Sequence, residues 1–586
     1  MPSRIDSQVQ AIYKDWLNNA NPAVKSQLIR SRPVSVFTDN VNRRHRLSKQ
    51  QRLRIVDQAL VLLEMVYVHL PLKRAIHAID PIQRLRLLRF RLDQTREDEM
   101  SEIEFHREIQ ETFSSVRDVH TQYLLPRPFR GHVAYLPFLV EEYYETENRV
   151  RKQKFLVSHL AEGFTHRHFK PHVEVLYWNG VPIRRAIEDN GQRHAGSNPE
   201  ARFARGLDSL TIRELKVSLP PDEEWVTVTY RPNRGDPRDL KLQWLVVPVS
   251  AGNDKTSNRS SKPKRASDSD KAAINQMRKI LYVPNVVELE RKCAEYKKKT
   301  RKDWLVAQVK GALRTKLPSV FRAETKKEGQ FGYIRIFTFD PDLDDVGPDE
   351  IVNEFRRLIL RLPADGLIVD VRGNPGGFIN AGERLLQLFT PHRIEPELFE
   401  FINTPLTLRI SLAAPKYEDM LRFARTIREA VVTSATYSAG FPLTSEEDCN
   451  AVGQVYFGPV VLITDALCYS ATDIFTAGFQ DNNVGVVLGT SGNTGAGGAE
   501  VIDHEDLTAW LRKDPGSPFA TLPKGSSMSV AVRRSLRVGK RSGRPLEELG
   551  IIPDRRFYMT KQDLYDNRDL INRAATILRE LRARYR

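Results

Sequence analysis

Residues 458 to 475, GPVVLITDALCYSATDIF, constrain the fold most, because they predict a buried strand, a tight turn and a helix in direct succession. The run from Pro459 to Ile463 is short, β-branched and apolar, as expected of a buried parallel strand. The run from Ala471 to Gln480 has helical character, so Ser470 stands at a helix start, where backbone N–H groups lack helical partners. This position suits a serine nucleophile, but an ordinary capping serine fits the same pattern.

A second segment, GLIVDVRGNPGG from Gly366 to Gly377, predicts a buried strand followed at once by a glycine-rich turn. Glycine tolerates positive φ and lets a substrate approach the main chain, so the N–H groups of such a turn can bind a reacting carbonyl oxygen. A tight structural turn and a phosphate cradle are alternatives, although the segment lacks the lysine and serine or threonine of a P-loop. The turn by itself therefore leaves its role open.

The first part of the 586-residue chain predicts helices. Apolar residues recur at helical spacing from Ser48, and Ser101 is followed by acidic residues, as in a capped helix start. We therefore predict a helical region over residues 1–128.

The remaining chain predicts two further folded regions and a linker. Short β-like runs separated by NG, PP and NRGDP turns indicate a small β-rich domain over 129–250. Residues 251–275 are rich in Ser, Lys and Asp, which is typical of a flexible linker. Strands and helices alternate over 276–586, with an amphipathic helix at 560–581 near the end, and this alternation predicts an α/β domain.

The net charge of +16 comes from 90 basic and 74 acidic residues that are interspersed along the chain. The densest basic stretches, residues 261–265 and 291–302, fit a solvated linker and a solvated helix face. Because the charge is dispersed, we expect no nucleic-acid partner.

Cysteine usage excludes a disulfide framework and a zinc pattern of the CxxC type, because only three cysteines occur, at positions 293, 449 and 468. The histidines of FTHRHFKPH, at positions 166, 168 and 172, have no acidic or cysteine ligand beside them. We therefore expect neither a metal nor an organic cofactor.

The first residues lack the apolar core of a secretory signal, and the longest apolar run, residues 59–68, is interrupted by Glu64. We therefore expect a cytoplasmic protein without a membrane span.

Together, the two segments that open this section resemble the tail-specific or C-terminal-processing serine peptidases and their tricorn-like relatives. The resemblance covers roughly residues 330–555, with FGYIRIFTF at 331–339 before the glycine turn and GIIPD at 550–554 as the closing motif. It implies a crotonase-like (ClpP/crotonase) α/β serine peptidase core that acts on protein or peptide substrates without a cofactor. It also leaves a homo-oligomer open.

The same resemblance assigns roles to residues of the two turns. It implies that Ser470 is the nucleophile, and that the N–H of Ala471 forms the oxyanion hole with that of Gly376 or Gly377. Processing peptidases carry a catalytic lysine about 25 residues after this serine, but here that loop reads TSGNTGAGGAE and the first lysine is Lys513. A Ser/Lys dyad is therefore not expected.

The tricorn-like branch instead uses a histidine before the serine and a glutamate after it. His120 in SSVRDVHTQY and Glu547 in LEELGIIPD match these positions, and a histidine can take a serine proton near neutral pH. Glu548 is an alternative to its neighbour Glu547. The relay serine of this branch is replaced here by Val119, so Asp118 or another residue is left as its substitute.

Residues 173–187, with the turn WNGVPI, and residues 196–215 resemble the PDZ-like module of these peptidases. Such a module binds peptide ends by strand addition, but its carboxylate-binding loop is not evident here, so packing on the core is the alternative. Two other functions remain open for the whole chain: a non-catalytic peptide- or ligand-binding protein on the same scaffold, and an acyl-CoA enzyme.

Overall fold

The computed structural model describes residues 4–94, 96, 99–249, 268–283, 312–326, 331–341, 346–413 and 418–585. Within these ranges the strands form four sheets, of seven, six, five and four strands. The basic stretches 261–265 and 291–302 and Cys293 lie outside the described residues.

The first part of the chain, residues 4–115, is mainly helical, with the short strand Arg32–Pro33 between two of its helices. Ser48 and Ser101 each form a capping box with the residue three positions later, which satisfies N–H groups at both helix starts. No single helix in the described ranges is long and apolar enough to cross a membrane, although two consecutive helices bent by 90°, Lys49–Met65 and Leu70–His77, meet that criterion together. The helices are Arg4–Asn19, Pro22–Arg30, Val34–Arg44, Lys49–Met65, Leu70–His77, Pro81–Gln94 and Glu102–Ser115.

The β-rich region consists of two sheets and two helices, Ile183–Gly191 and Pro199–Asp208. The larger sheet is antiparallel and has, in spatial order, the strands Arg238–Gln243, Trp225–Arg231, Glu174–Trp178, Val150–Leu160 and Phe138–Glu147, with Val181–Pro182 beside Glu174–Trp178. The smaller sheet has the strands Arg32–Pro33, Leu245–Pro248, His132–Tyr135 and Ile212–Glu214.

A helix, Asp268–Tyr282, occupies the last part of the predicted linker 251–275. Met277 and Leu281 are fully buried at helical spacing, and the N–H of Glu162 donates to Leu281 O at 2.7 Å. The helix thus packs on the β-rich region, and residues 250–267 of the linker lie outside the described residues.

The α/β domain is built on the seven-stranded sheet. Its first two strand pairs are antiparallel and its last four are parallel. The strands follow chain order across the sheet: Ala312–Leu313, Phe321–Lys326, Phe331–Ile336, Leu367–Asp370, Val460–Thr464, Val486–Gly489 and Arg555–Arg556.

Alternating side chains of these strands enter two cores, as the period of two in a strand requires. One face packs against the helices Pro348–Ile359, Ile379–Leu386 and Ala471–Asp481, and the other against Arg568–Tyr585. Because both faces are covered, a ligand reaches the parallel strands at their carboxyl ends, where the turns of both motifs lie.

The five-stranded sheet joins the helical region to the α/β domain. Gln122–Leu124 pairs with Ser527–Leu536, which also pairs with Leu398–Phe401 and Ala499–Asp503, and Phe441–Pro442 completes the sheet. The other helices are Pro405–Ala413, Glu418–Thr433, Glu446–Cys449, His504–Trp510 and Asp563–Asp566, with 3₁₀ turns at Gln387–Phe389, Pro523–Gly525 and Gly539–Arg541.

Candidate active site

Ser470 lies between the strand Val460–Thr464 and the helix Ala471–Asp481, as the sequence predicts. Its backbone has φ 60° and ψ −127°, and its side chain makes no capping bond to the helix. A residue other than glycine in this region is strained by about 1–3 kcal/mol, so the surrounding turn must hold it in place. Asp465 supports the turn by accepting hydrogen bonds from the N–H groups of Gly373 and Cys468 at 2.8 and 3.1 Å. The serine is therefore not a helix cap but a strained residue at a sharp strand-to-helix turn.

The glycine turn lies directly against this serine. Gly376 has φ 103°, and a Cβ at this position would lie 2.6 Å from the Cβ of Ser470 and 2.9 Å from the nitrogen of Ala471. The N–H of Gly376 donates to Asn374 Oδ1 at 2.9 Å. A β-bridge joins Gly377 to Phe339. It uses the carbonyl of Gly376 and the N–H of Phe378, so the N–H of Gly377 itself is not part of it. The N–H of Gly376 is thus taken up by Asn374, whereas that of Gly377 is not.

His120 lies in the loop between the helix Glu102–Ser115 and the strand Gln122–Leu124. Its ring centroid is 4.6 Å from that of Tyr469, the residue before Ser470. Ser529 Oγ donates to the carbonyl of His120 at 3.0 Å, which ties the loop to the five-stranded sheet. The structure thus brings the sequence-predicted histidine beside the serine turn from 350 residues away.

The carboxylate of Asp118 lies beside His120. It is fully buried, and its Oδ1 accepts hydrogen bonds from the N–H of His120 at 2.8 Å and from Tyr469 Oη at 3.3 Å. The same oxygen lies 3.9 Å from His120 Nδ1. Burial alone would raise the pKa of Asp118, but the neighbouring His69, His120 and Lys73 outweigh it and hold that pKa below its usual value. The sequence indicated Asp118 only as a substitute for a missing relay residue.

Glu547 and Glu548 both bind Lys73 but differ in their second partner. Glu547 is fully buried, and its Oε1 accepts hydrogen bonds from Lys73 Nζ at 2.5 Å and from Ser197 Oγ at 2.7 Å. Glu548 binds the same ammonium at 2.5 Å and His77 Nε2 at 2.7 Å. Burial raises the pKa of Glu547 to about 8, with Lys73 opposing this shift and the charge of Asp118 adding to it.

Lys73 was not predicted from the sequence as a site residue. It is fully buried on the helix Leu70–His77, and the carboxylates of Glu547, Asp118 and Glu548 raise its pKa although burial alone would lower it. Its ammonium therefore stays charged and cannot act as a base near neutral pH. A lysine three residues after Leu70, on the apolar face of a short helix, was the available signal.

The glycine-rich loop 494–498 fills the space around Tyr469. A Cβ at Gly497 would lie 1.9 Å from the Tyr469 ring, and the N–H of Gly497 donates to Asp473 Oδ2 at 2.8 Å. Lys513 is exposed on the turn after His504–Trp510. The loop thus has glycine where the Tyr469 ring leaves no room for a side chain.

One group of described residues has the spacing of metal ligands. His69, Asp118 and Glu547 are all buried and offer atoms within 4.8 Å of one another. Burial lowers the pKa of His69 to about 3, so its ring is neutral at pH 7. The ammonium of Lys73 already lies 2.5 Å from Glu547 and supplies positive charge here, which disfavours a cation in the same place.

Comparison with known families separates the chain into two matched regions. Residues 330–557 match the model described as Peptidase family S41, and residues 132–250 match that of a PDZ domain. The first range holds both turns and Glu547, whereas His120 precedes both ranges.

Individual relatives are distant. An uncharacterized protein of Chlamydia muridarum is 22% identical over 384 residues, which are 56% of this chain and 63% of that relative. Mature CPAF in complex with lactacystin has a TM-score of 0.61 at 17% identity, over 91% of this chain and 99% of that one. A second structure of mature CPAF gives 0.60 at 16% identity, over 90% and 98%. At this identity the likeness shows a shared fold.

Proposed function

Because residues 330–557 belong to peptidase family S41, as the motifs predicted, we propose that this chain is a serine peptidase that cleaves peptide bonds of protein substrates through Ser470 and His120. The observation that carries the proposal is the strained Ser470, with Gly376 against its Cβ and His120 beside the preceding Tyr469. We further infer that the α/β domain is a crotonase-like core, because its parallel strands end at the two turns that form the site.

The proposed reaction is acyl transfer to the serine, followed by hydrolysis. Ser470 Oγ attacks the peptide carbonyl while His120 takes its proton, and His120 then gives that proton to the leaving amine. Water, deprotonated by the same histidine, then attacks the acyl carbon, and the histidine returns the proton to Ser470 Oγ as the bond from that oxygen to the acyl group breaks. The negative oxygen of each tetrahedral intermediate binds N–H groups at the start of the helix Ala471–Asp481 and in the glycine turn.

Ala471 and Gly377 are our choice for these two N–H groups. Ala471 is the first residue of its helix, where the N–H has no partner within the helix. The bond from Gly376 to Asn374 Oδ1 favours Gly377 as the second donor and gives Gly376 the role of close approach to the serine.

Asp118 is proposed to orient His120, and Glu547 to act behind it. The 3.9 Å distance from Asp118 Oδ1 to His120 Nδ1 supports this order, as does the bond of Asp118 to the histidine N–H. Glu547 lies next to Asp118 and is held by Lys73 and Ser197. In this proposal Glu547 acts on His120 indirectly, through Asp118, which lies between them.

A fluorophosphonate probe tests the proposal, because it reacts only with an activated serine. We expect mass spectrometry to find the adduct on Ser470, and we expect Ser470→Ala to abolish labelling. His120→Ala should reduce the labelling rate by about 10²–10⁴-fold. His392→Ala, at an exposed histidine, is the matched control and should leave the labelling rate unchanged. An unlabelled native protein would overturn the proposal in favour of a binding protein, and hydrolysis of acyl-CoA that survives Ser470→Ala would favour the third function.

A further inference from the structure

The region that matches a PDZ domain contacts the candidate active site through one short segment, residues 197–200, and through Arg205. We propose that this segment is a positioning element of the catalytic centre, in which Ser197 holds Glu547 and Asn198 holds the glycine-rich loop. The inference rests on the proposed function and adds residues to it that neither motif contains.

Ser197 is the donor that reaches the catalytic domain most directly. It is fully buried, and its hydroxyl donates to Glu547 Oε1 at 2.7 Å across 350 residues of sequence. The same oxygen accepts from Lys73 Nζ, so two donors from two different regions fix the orientation of one carboxylate. The other oxygen of Glu547 has no hydrogen-bond partner among the described residues, and it lies 4.0 Å from His69 Nε2. Loss of the hydroxyl would leave Lys73 as the remaining donor.

Asn198 joins a helix start to the loop. Its Oδ1 accepts from the N–H of Ala201 at 2.8 Å and so caps the helix Pro199–Asp208. Its Nδ2 donates to the carbonyl of Thr494 at 2.8 Å. The next residue of the loop, Gly495, donates its N–H to Cys468 O at 2.7 Å, two residues before Ser470. A short chain of bonds therefore links the capped helix to the serine turn.

Two further contacts place the same helix over the site. The N–H of Gly492 donates to Glu200 Oε2 at 3.2 Å, and the guanidinium of Arg205 lies 5.4 Å from the ring centroid of Tyr469. These contacts come from one helix and the turn before it, and none of them uses a free sheet edge. They are therefore independent of peptide capture by strand addition, which uses an edge strand.

Ser197→Ala tests the role of the hydroxyl, and Ser209→Ala is its matched control. Ser209 belongs to the same region, but its hydroxyl bonds Asn190, His194 and Arg205 within that region. The measurement is the rate of fluorophosphonate labelling of Ser470 from pH 6 to 10. We expect Ser197→Ala to slow labelling about two- to tenfold at pH 7, the cost of one lost buried hydrogen bond.

The pH profile separates positioning from a general loss of folding. The Ser197 hydroxyl lowers the pKa of Glu547, so its removal should move the rise in labelling to higher pH. Ser197→Thr keeps a hydroxyl and should restore both the rate and the profile. Ser209→Ala should keep the profile of the native protein.

Asn198→Asp gives a second test that does not depend on Ser197. Aspartate is an equally good cap, but it has no N–H to donate to Thr494 O, so the helix should persist while labelling slows. Labelling by both variants at the native rate and with the native profile would overturn the inference while the proposed function stands. An unlabelled native protein would instead overturn the proposed function itself.

Discussion

Two buried pairs of acidic residues lie close to the candidate site, and within the part of the chain that the structure describes only one of them forms an ion pair with a buried cation. Lys73 Nζ lies 2.5 Å from Glu547 and its charge also lowers the pKa of Asp118, and hydroxyl and N–H donors reach oxygens of both carboxylates. Glu383 and Glu397 lie on and after the helix that follows the glycine turn, and each is at most 2% exposed. The N–H of Glu397 donates to Glu383 Oε1 at 3.0 Å, and the other three oxygens of this pair have no hydrogen-bond partner among the described residues.

The comparison shows that a buried carboxylate stays charged only when neighbouring groups stabilise its charge. Burial raises the pKa of Glu383 to about 7 and that of Glu397 well above its usual value, and it raises the pKa of Glu547 in the same way. Asp118 is just as buried, yet the groups around it keep it charged. A negative charge next to His120 therefore depends on donors and a cation supplied by other parts of the chain.

The largest effect is expected for Asp118→Asn. This substitution removes the charge of Asp118, so that the pair at the site becomes more like the pair of Glu383 and Glu397. The labelling rate of Ser470 should fall by about 10²–10⁴-fold, because an amide cannot stabilise the positive charge that His120 acquires. Glu547→Gln is the matched comparison and should cost less. An equal or larger loss for Glu547→Gln would reverse the order proposed for the two carboxylates.

Removing the cation is the next test. Lys73→Met should lower the free energy of unfolding by about 3–5 kcal/mol, because it removes the cation from the buried Glu547 and from the partly buried Glu548. Urea denaturation monitored by circular dichroism measures the change. Lys152→Met, at an exposed pair with Glu147, is the control and should have no resolvable effect. A Lys73→Met protein of native stability would mean that Glu547 takes up a proton when the ammonium is removed.

Because of Glu383 and Glu397, the free energy of unfolding should fall as the pH rises. The pKa of Glu383 is about 7 in the folded protein against 4.5 for an ordinary glutamate, so its contribution is fully present below about pH 4.5 and is lost as the pH rises towards 7. Glu383→Gln should reduce this dependence, with the part due to Glu397 remaining, and add about 2–3 kcal/mol at pH 8. Denaturation at pH 5 and pH 8 measures it, and Glu446→Gln, on the surface, should leave the slope unchanged. A native protein with equal stability at both values would contradict the comparison.

The smallest effect is expected for Tyr469→Phe. Its hydroxyl donates to Asp118 Oδ1 at 3.3 Å and accepts from the N–H of Val119 at 3.1 Å, and loss of such bonds should slow labelling about two- to tenfold. Tyr456→Phe removes a bond to Pro363 O and should leave the rate unchanged. If both variants label at the native rate, Asp118 is held without the tyrosine.

The features that were predicted from the sequence are local or carry a family motif. The strand, turn and helix around Ser470 follow from apolar periodicity and glycine, and His120 and Glu547 came from matched motifs. Ser197 has no such signal and Lys73 has only its place on the apolar face of a short helix, because each acquires its role from a partner more than 340 residues away in sequence. The order of Asp118 and Glu547 around His120 likewise depends on three distant segments that meet only in the folded chain.

The pairing of Gln122–Leu124 with Ser527–Leu536 also sets a time at which the site can exist. The loop of His120 is anchored to a strand that the ribosome makes about 400 residues later, and Glu547 follows that strand. The regions made first can fold while synthesis continues, but the serine, the histidine and its carboxylates can meet only after residue 547 has been made. Under the proposed function, the growing chain therefore carries no assembled peptidase site before that point.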